Sequence, residues 1–409
     1  MNINLQRWVD RWVGIPLCAA VSAVDAIASR IRPVPASADT APRAIVIILL
    51  SEMGSLVLAH DMFARLQSRY PDAVLHALLF GKNREILDLL QVIKPENVHT
   101  VDDISLTGLL VSLWRAVMQL RRAHVDVAID CELFSRISSL LSYVSGASVR
   151  VGFHRHTQEG LYRGSHITRR VPYNPYQHIS AQFLTLARAI DSTAVPKSKL
   201  PIMQPHSSPP QVTLAAGAVT GMTARIAQDF PATVGKPLVL VYPGGGILPI
   251  RAWPLDAYTA LCAGLAQDGC AVAVIGLKGD QALAQQLVAQ VQLAASGSIV
   301  LDLTGYTRSI AELLALFHVA QLLVTNDGGP GQFAVLTPIW TVMLFGPETP
   351  ALYAPLSPKC YAFYSQWPCS PCLSAYNHRK SFCDGDNQCL KVITPAAVLA
   401  KARACLTAP

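Results

Sequence analysis

The sequence predicts an α/β protein of two domains in series, each built on a parallel sheet. Three observations predict it. From residue 43 onward, short β-branched apolar runs alternate with longer amphipathic runs, the βαβ pattern that feeds parallel strands. A stretch rich in Pro, Ser, Thr and Ala, 191–237, interrupts that alternation, and its "SSPPQV" and "PATVGKP" have the loop chemistry of a boundary. The chain has 409 residues, 51% hydrophobic and 14% charged, enough for two ordinary domains and far from a disordered composition.

Taken in order, "AIVIILL" (44–50) reads as a buried strand and 54–70 as a helix. A strand over 73–80, a helix over 83–93, a short strand over 97–101, a helix over 106–123 and a strand over 125–131 follow. One helix, about 217–229, sits within the boundary stretch. The second set has strands over 237–245 (ending in a glycine turn), 271–276, 298–303, 321–325 and 339–345, with helices between them, including 255–269. "PAAVLAKARACL" (395–406) reads as a closing helix. The expected parts are an N-terminal helix and linker (1–42), a first α/β domain (43–205), a second (206–394) and the C-terminal helix (395–409). Two such domains are expected to leave a cleft between them, the usual place for a ligand.

The formal net charge of +7 favours anionic partners. No Lys/Arg-rich tract or aromatic-basic stacking motif points to nucleic acid. At the N-terminus, basic residues precede an apolar stretch, as in a signal peptide, but no small-residue cleavage site follows. Val13–Ala28 is short for a membrane span and Asp25 interrupts it. Trp8, Trp12 and Ile15 share one helical face with Arg7 and Arg11 beside it, which fits a helix lying on the inner-membrane surface or one packed on the domain. The sequence carries no signal for oligomeric state.

Three strand-end turns of the second domain suit anions. "YPGGG" (242–246) offers consecutive backbone amides, with Gly244 and Gly245, close to Arg251. "IGLKGDQ" (275–281) sets Lys278 and Asp280 before a helix. "TNDGGPGQ" (325–332) places Asn326, Asp327, Gly328, Gly329 and Gln332 where a strand gives way to a helix, and helix N-termini attract phosphate. Three such turns on one sheet edge point to a nucleotide or nucleotide-sugar. No G-x-x-x-x-G-K-[ST] loop is present and the first strand lacks G-x-G-x-x-G, which argues against a P-loop NTPase and against NAD.

"TNDGGPGQFAVLTPIWTVMLFGPETP" resembles the signature of glycosyltransferase family 9, the heptosyltransferase-like enzymes, as do "PIRAWPLDAYTAL" (249–261), 303–327 and the start of the first domain, "LLSEMGSLVLAHDMFARLQSRYPDA". The resemblance covers most of residues 43–400. It implies a GT-B fold of two Rossmann-like domains, the acceptor bound by the first and the nucleotide-sugar donor by the second. It implies inverting transfer without a catalytic metal, from a nucleotide-sugar (heptose among the candidates) to a lipopolysaccharide or surface-polysaccharide acceptor at the cytoplasmic face of the membrane. Arg251 is implied near the pyrophosphate, Asp280 near the ribose, and Asp327, Gly328 and Gly329 at the helix start. Two departures stand out. Gln332 stands where a His is frequent, and Gly54-Ser55 replaces the family's Gly-Asp, whose Asp is the expected base. A serine at its ordinary pKa cannot take a proton from a sugar hydroxyl, so Glu52, then Glu132, are the expected substitutes. The rival expectations are another GT-B activity, such as nucleotide-sugar epimerisation, and a catalytically lapsed membrane-bound scaffold.

Two further features stand apart. Residues 150–178 hold Arg150, Arg155, Arg163, Arg169, Arg170 and four histidines against one acid, Glu159, and read either as a solvated basic loop or as a site for an acidic acceptor. Cys369, Cys372, Cys383 and Cys389, spaced C-x₂-C-x₁₀-C-x₅-C, read as a structural zinc or iron site, with two disulfides as the alternative in an oxidising compartment.

Overall fold

A computed structural model describes residues 3–31, 41–50, 52–133, 135–155, 162–194, 197, 199, 201–205, 210–376 and 379–408, with side chains from Trp8 onward. The chain divides into two compact units, Met1–Pro205 and His206–Pro409.

The first unit opens with two helices, α1 (Ile3–Trp12) and α2 (Gly14–Ile31). Then follow β1 (Ala44–Ile48), α3 (Met53–Leu58), α4 (His60–Arg69), β2 (Val74–Phe80), α5 (Arg84–Leu90), β3 (Val98–Val101), α6 (Leu106–Arg122), β4 (Val127–Asp130), α7 (Arg136–Val144), β5 (Val149–His154), β6 (Arg169–Pro172) and α8 (Ile179–Arg188). Every residue of β1 is buried, as a strand covered on both faces requires. β1 pairs in parallel with β2 (Ile45 opposite Leu75) and with β4 (Ile45 opposite Val127). The sheet order is β3-β2-β1-β4-β5-β6, which places a topological switch point between β1 and β4.

The second unit runs α9 (Ala218–Asp229), β7 (Leu238–Tyr242), α10 (Leu255–Gln267), β8 (Ala271–Gly276), α11 (Gln281–Ala294), β9 (Val300–Thr304), α12 (Ile310–Val319), β10 (Leu322–Asn326), α13 (Gly329–Ala334), β11 (Trp340–Phe345), α14 (Pro350–Tyr353), β12 (Cys360–Tyr364), α15 (Gln388–Lys391) and α16 (Pro395–Leu406). Its order, β12-β11-β10-β7-β8-β9, repeats that of the first unit, with the switch point between β7 and β10. Trp253, Tyr258, Leu261, Val272 and Val324 centre its core, and α16 adds Val398 and Ala402.

The structure differs from the sequence expectations in four places. The helix expected over 54–70 breaks at Ala59 into α3 and α4. The sixth strand of the second sheet, β12, an edge strand of half-buried residues such as Cys360 and Phe363, is not among the strands expected from the sequence. The basic segment 150–178 is not a solvated loop: it contains β5 and β6, and Arg163 is fully buried against Asp130, while Arg150 pairs with Asp25 at 2.8 Å. His156 and Glu159 lie outside the described residues. Lastly, the N-terminal helical run outlasts Val13–Ala28: Trp8–Ile31 is long and apolar enough to cross a membrane by length and composition, and no other described helix is.

That run nevertheless docks on its own unit, through residues spaced along one helical face. Asp10 Oδ1 accepts from the backbone N–H groups of Arg136 (2.7 Å) and Ile137 (3.1 Å), capping α7, and its Oδ2 pairs with Arg136 Nη1 at 3.1 Å. Gly14 lies so close to α7 that a Cβ there would sit 2.8 Å from Arg136 Cβ. Cys18 is buried, Ser22 Oγ accepts from Ser165 N at 2.7 Å, and Asp25 holds Arg150. The opposite face, with Trp8 (56% exposed), Trp12 (60%), Val24 (56%) and Ile27 (59%), is open. The pattern inverts that of an ordinary surface helix: small and polar residues face the protein and apolar ones face out.

Candidate functional site

The C-terminal edge of the second sheet carries the three glycine turns, and one asparagine fastens two of them. Asn326, fully buried at the end of β10, donates through Nδ2 to Pro243 O and Gly244 O, both at 3.0 Å. Its Oδ1 accepts from Trp253 N (3.0 Å) and Tyr258 Oη (3.1 Å). One side chain thus ties the turn after β7 to the turn after β10, and its bonding capacity is spent inside the protein. Gly245 is required by close approach, since a Cβ would meet Leu248 O and Pro249 Cα at 2.7 Å. Gly244 is packed against the Tyr242 ring.

Charge enters this corner on two arginines. Arg251 ends the 3₁₀ turn Pro249–Arg251, two residues before the buried Trp253, whose Nε1 donates to Leu390 O and Ile393 O. Arg251 Nε lies 3.5 Å from Asp327 Oδ2, and its Nη2 lies 2.8 Å from Glu348 Oε1. Arg379 Nε reaches the same Glu348 oxygen at 3.2 Å. Asp327 and Glu348 are both buried, so two guanidinium groups and two carboxylates form a pre-oriented cluster in a low-dielectric corner. Glu348 and Arg379 were not identified from the sequence. The acid in "FGPETP", three residues past the end of β11, was the available signal for Glu348.

The remaining expected residues take more local roles. Gly328 and Gly329 open α13, which has only six residues, so the positive charge of this corner comes chiefly from the arginines rather than from a helix dipole. Gln332 points inward and donates to Tyr353 O at 2.7 Å. Asp280 Oδ2 accepts from Leu277 N at 2.8 Å, closing the turn after β8, while Lys278 is exposed on that turn. Burial, then the charge of Asp280, push the Tyr242 hydroxyl up to about 12.

In the first unit, Glu52 and Glu132 both fall at the switch point, just beyond β1 and β4. Glu132 Oε1 accepts from Leu50 N at 2.6 Å, bracing one strand end against the other. Ser55, where the family resemblance implied an Asp, donates its hydroxyl to Glu52 Oε2 at 2.9 Å. Both glutamates are half-buried. Asp130 beside them is fully buried, with its pKa raised by burial against the opposing pull of Arg163, and serves that ion pair.

The four clustered cysteines line one cavity of about 380 Å³ with Trp367, Phe382 and Asn387. None is disulfide-bonded. Burial, then the neighbouring Cys372, Cys369 and Cys383, push the Cys389 thiol up to about 11. The soft thiol set suits zinc or iron, yet among the described residues no three metal-ligating side chains converge as a coordinating group. The loop ties back to the arginine–carboxylate corner, with Cys372 N and Leu373 N both donating to Pro347 O at 2.9 Å.

Comparison with known proteins agrees with this architecture. Lipooligosaccharide heptosyltransferase 2 of Haemophilus ducreyi is 26% identical over 320 residues, 76% of this chain and 86% of that protein. Among solved structures, the Escherichia coli ADP-heptose lps heptosyltransferase II aligns over 89% of this chain and 98% of its own, at 20% identity and a TM-score of 0.65. A family 9 glycosyl transferase of Veillonella parvula aligns over 89% and 97%, at 17% identity and a TM-score of 0.68. These likenesses support the two-domain GT-B fold and do not favour the epimerase or lapsed-scaffold expectations. The sequence model of glycosyltransferase family 9 (heptosyltransferase) matches residues 113–382, well over half the chain: this protein is a glycosyltransferase and belongs to that family.

Proposed function

We propose that this chain is an inverting heptosyltransferase that moves a sugar from ADP-heptose to a lipopolysaccharide-core acceptor. The observation that carries the reading is the buried Arg251–Asp327–Glu348–Arg379 cluster at the switch point of the second sheet. Arg251 faces the donor pyrophosphate and stabilises the charge that develops as the bond from the anomeric carbon to the diphosphate oxygen breaks. In the first unit, Glu52, oriented by Ser55, takes the proton from the acceptor hydroxyl as that oxygen attacks the anomeric carbon from the opposite face. Glu132, committed to Leu50 N, is the alternative base. The relatives' names supply the donor and acceptor classes; the basis for two separate binding units is the pair of switch points. The test is product formation: purified protein with ADP-heptose and a heptose-deficient core acceptor yields glycosylated acceptor and ADP. Hydrolysis or epimerisation of the donor without any transfer would overturn the reading.

Two further parts complete the proposal. The chain works at the cytoplasmic face of the inner membrane, held there by the apolar outer face of α1 and α2. The four cysteines hold a structural zinc or iron that steadies the 369–389 loop and takes no part in the reaction. Elemental analysis of protein prepared without chelators should find about one metal per chain, absent from a Cys372→Ser/Cys383→Ser variant. Protein free of both metals would reject that part.

A further inference from the structure

The outer face of α6 repeats the inverted pattern of the N-terminal helices. Leu106, Leu110 and Trp114, one turn apart, are 62%, 58% and 67% exposed, and Ile104 and Val111 beside them are 85% and 55% exposed. The helix has room to hide apolar groups, since Ala116 and Leu120 further along it are buried in the shared core with Val46, Ile48 and Leu141. Its first half instead presents its largest side chains to solvent. α6 contains no acid, and Arg115 and Arg122 are exposed on it.

Topology puts this face beside that of α1. α6 begins where β3 ends, at the C-terminal edge of the sheet. Asp10 of α1 caps the first turn of α7, which follows β4, so α1 lies at that same edge. α6 and α7 cover one face of the sheet, since both contribute to the same core. Trp8 and Trp12 are therefore carried at the same edge and on the same side as Leu106, Leu110 and Trp114. Glu52 and Glu132 stand at that edge too.

We infer that the first half of α6 is a second membrane contact, docking with α1 and α2 on an anionic bilayer so that the edge bearing Glu52 and Glu132 faces acceptors embedded in it. The occupant follows from the chemistry. Aromatic and aliphatic side chains on a helix that carries arginines and no acid match the boundary between acyl chains and anionic headgroups, and the two acids just before it are taken up locally, Asp102 by Ile104 N and Asp103 by Lys82. Arg11 lies over the Trp12 ring with its guanidinium 5.5 Å from the centroid, so cation and aromatic group meet in the same layer on α1 as well. Two legs also fix an orientation, which one helix lying on a surface does not. The inference rests on the membrane part of the proposed function and adds to it a second, separable contact.

Co-sedimentation of the full chain with vesicles of phosphatidylethanolamine and phosphatidylglycerol tests it. Leu110→Glu/Trp114→Glu should weaken partitioning by at least about tenfold, with an unchanged thermal midpoint because both positions are exposed. Trp8→Glu/Trp12→Glu should weaken it similarly. Partitioning of the α6 variant equal to the parent overturns the inference. If the α1 variant alone is impaired, N-terminal attachment stands and the α6 contact falls; if neither is impaired, both fall. A change in solution molar mass of the α6 variant with unchanged vesicle binding would mean that a second copy covers the face, and the inference falls. Donor titration in the same variants should be unchanged, so the outcome here is read independently of whether the chain transfers sugar.

Discussion

The two units share a strand order and differ in what their strand ends carry. Both sheets are parallel, run in the same order and place a switch point between their first and fourth strands. In the second unit that point carries glycine turns, Asn326 and a cluster of arginines with buried carboxylates; in the first it carries Glu52, Glu132 and the buried Asp130–Arg163 pair. The second unit is also rigid there: Asn326, at the end of β10, alone joins four backbone or side-chain groups of the segment from Pro243 to Tyr258. The first unit instead pairs its charges elsewhere: Asp10 and Asp25 of the N-terminal helices hold Arg136 and Arg150, and the fully buried Asp130 holds Arg163. The lesson is that topology fixes where strand ends converge, while the loops decide which chemical groups stand there.

The contrast is broken most severely at the base. Glu52→Gln keeps the shape and the Ser55 contact but removes the proton acceptor, so turnover should fall by roughly 10²–10⁴. Glu132→Gln is the matched control; full activity in Glu52→Gln with loss in Glu132→Gln would exchange their roles. The next effect is on stability. Asn326→Ala leaves Pro243 O, Gly244 O and Trp253 N on the segment after β7 without this partner and should cost on the order of 3 kcal/mol, read by denaturant unfolding. A loss below about 0.5 kcal/mol would mean that the two turns do not depend on this residue.

A smaller effect is read by pH. His166 and His76, both in the first unit, are buried, and burial lowers each from 6.5 to about 4. The unfolded chain therefore binds protons between pH 6.5 and about 4 that the folded unit refuses, and stability should fall as pH drops through that window. Each histidine contributes roughly 2–3 kcal/mol to the loss once fully protonated. Thermal midpoints of the parent and His166→Gln across this range should converge at low pH. Parallel curves would show that His166 is not held neutral.

Much of this was legible in the sequence, for identifiable reasons. β1, β7, β8, β10 and β11 are continuous apolar runs because both faces of a central parallel strand are covered. β5 and β6 were hidden because the segment's arginines look solvent-facing until the acids of Arg150 on β5 and Arg163 between the strands, Asp25 and Asp130, are found elsewhere in the sequence. Arg251, Asp327 and the glycines were visible as a strand-end pattern, whereas Asn326 proved to be a fastener and Gln332 an inward anchor, distinctions that depend on tertiary partners. Arg379 was out of reach, since only the folding back of the cysteine loop onto Pro347 brings it to Glu348. The N-terminal helices show the opposite case. Their apolar face was plain in the sequence, but that it points outward depends on Asp10, Gly14, Cys18, Ser22 and Asp25 facing in.

The central claim is that donor binding belongs to the second unit and proton transfer to the first. Calorimetric titration of ADP-heptose into the parent, Arg251→Ala and Glu52→Gln tests it most directly. The account predicts that Arg251→Ala weakens donor affinity by roughly 10–100-fold, the worth of a charge-assisted contact in a buried corner, while Glu52→Gln binds as the parent does. Donor affinity lost in Glu52→Gln and retained in Arg251→Ala would contradict it.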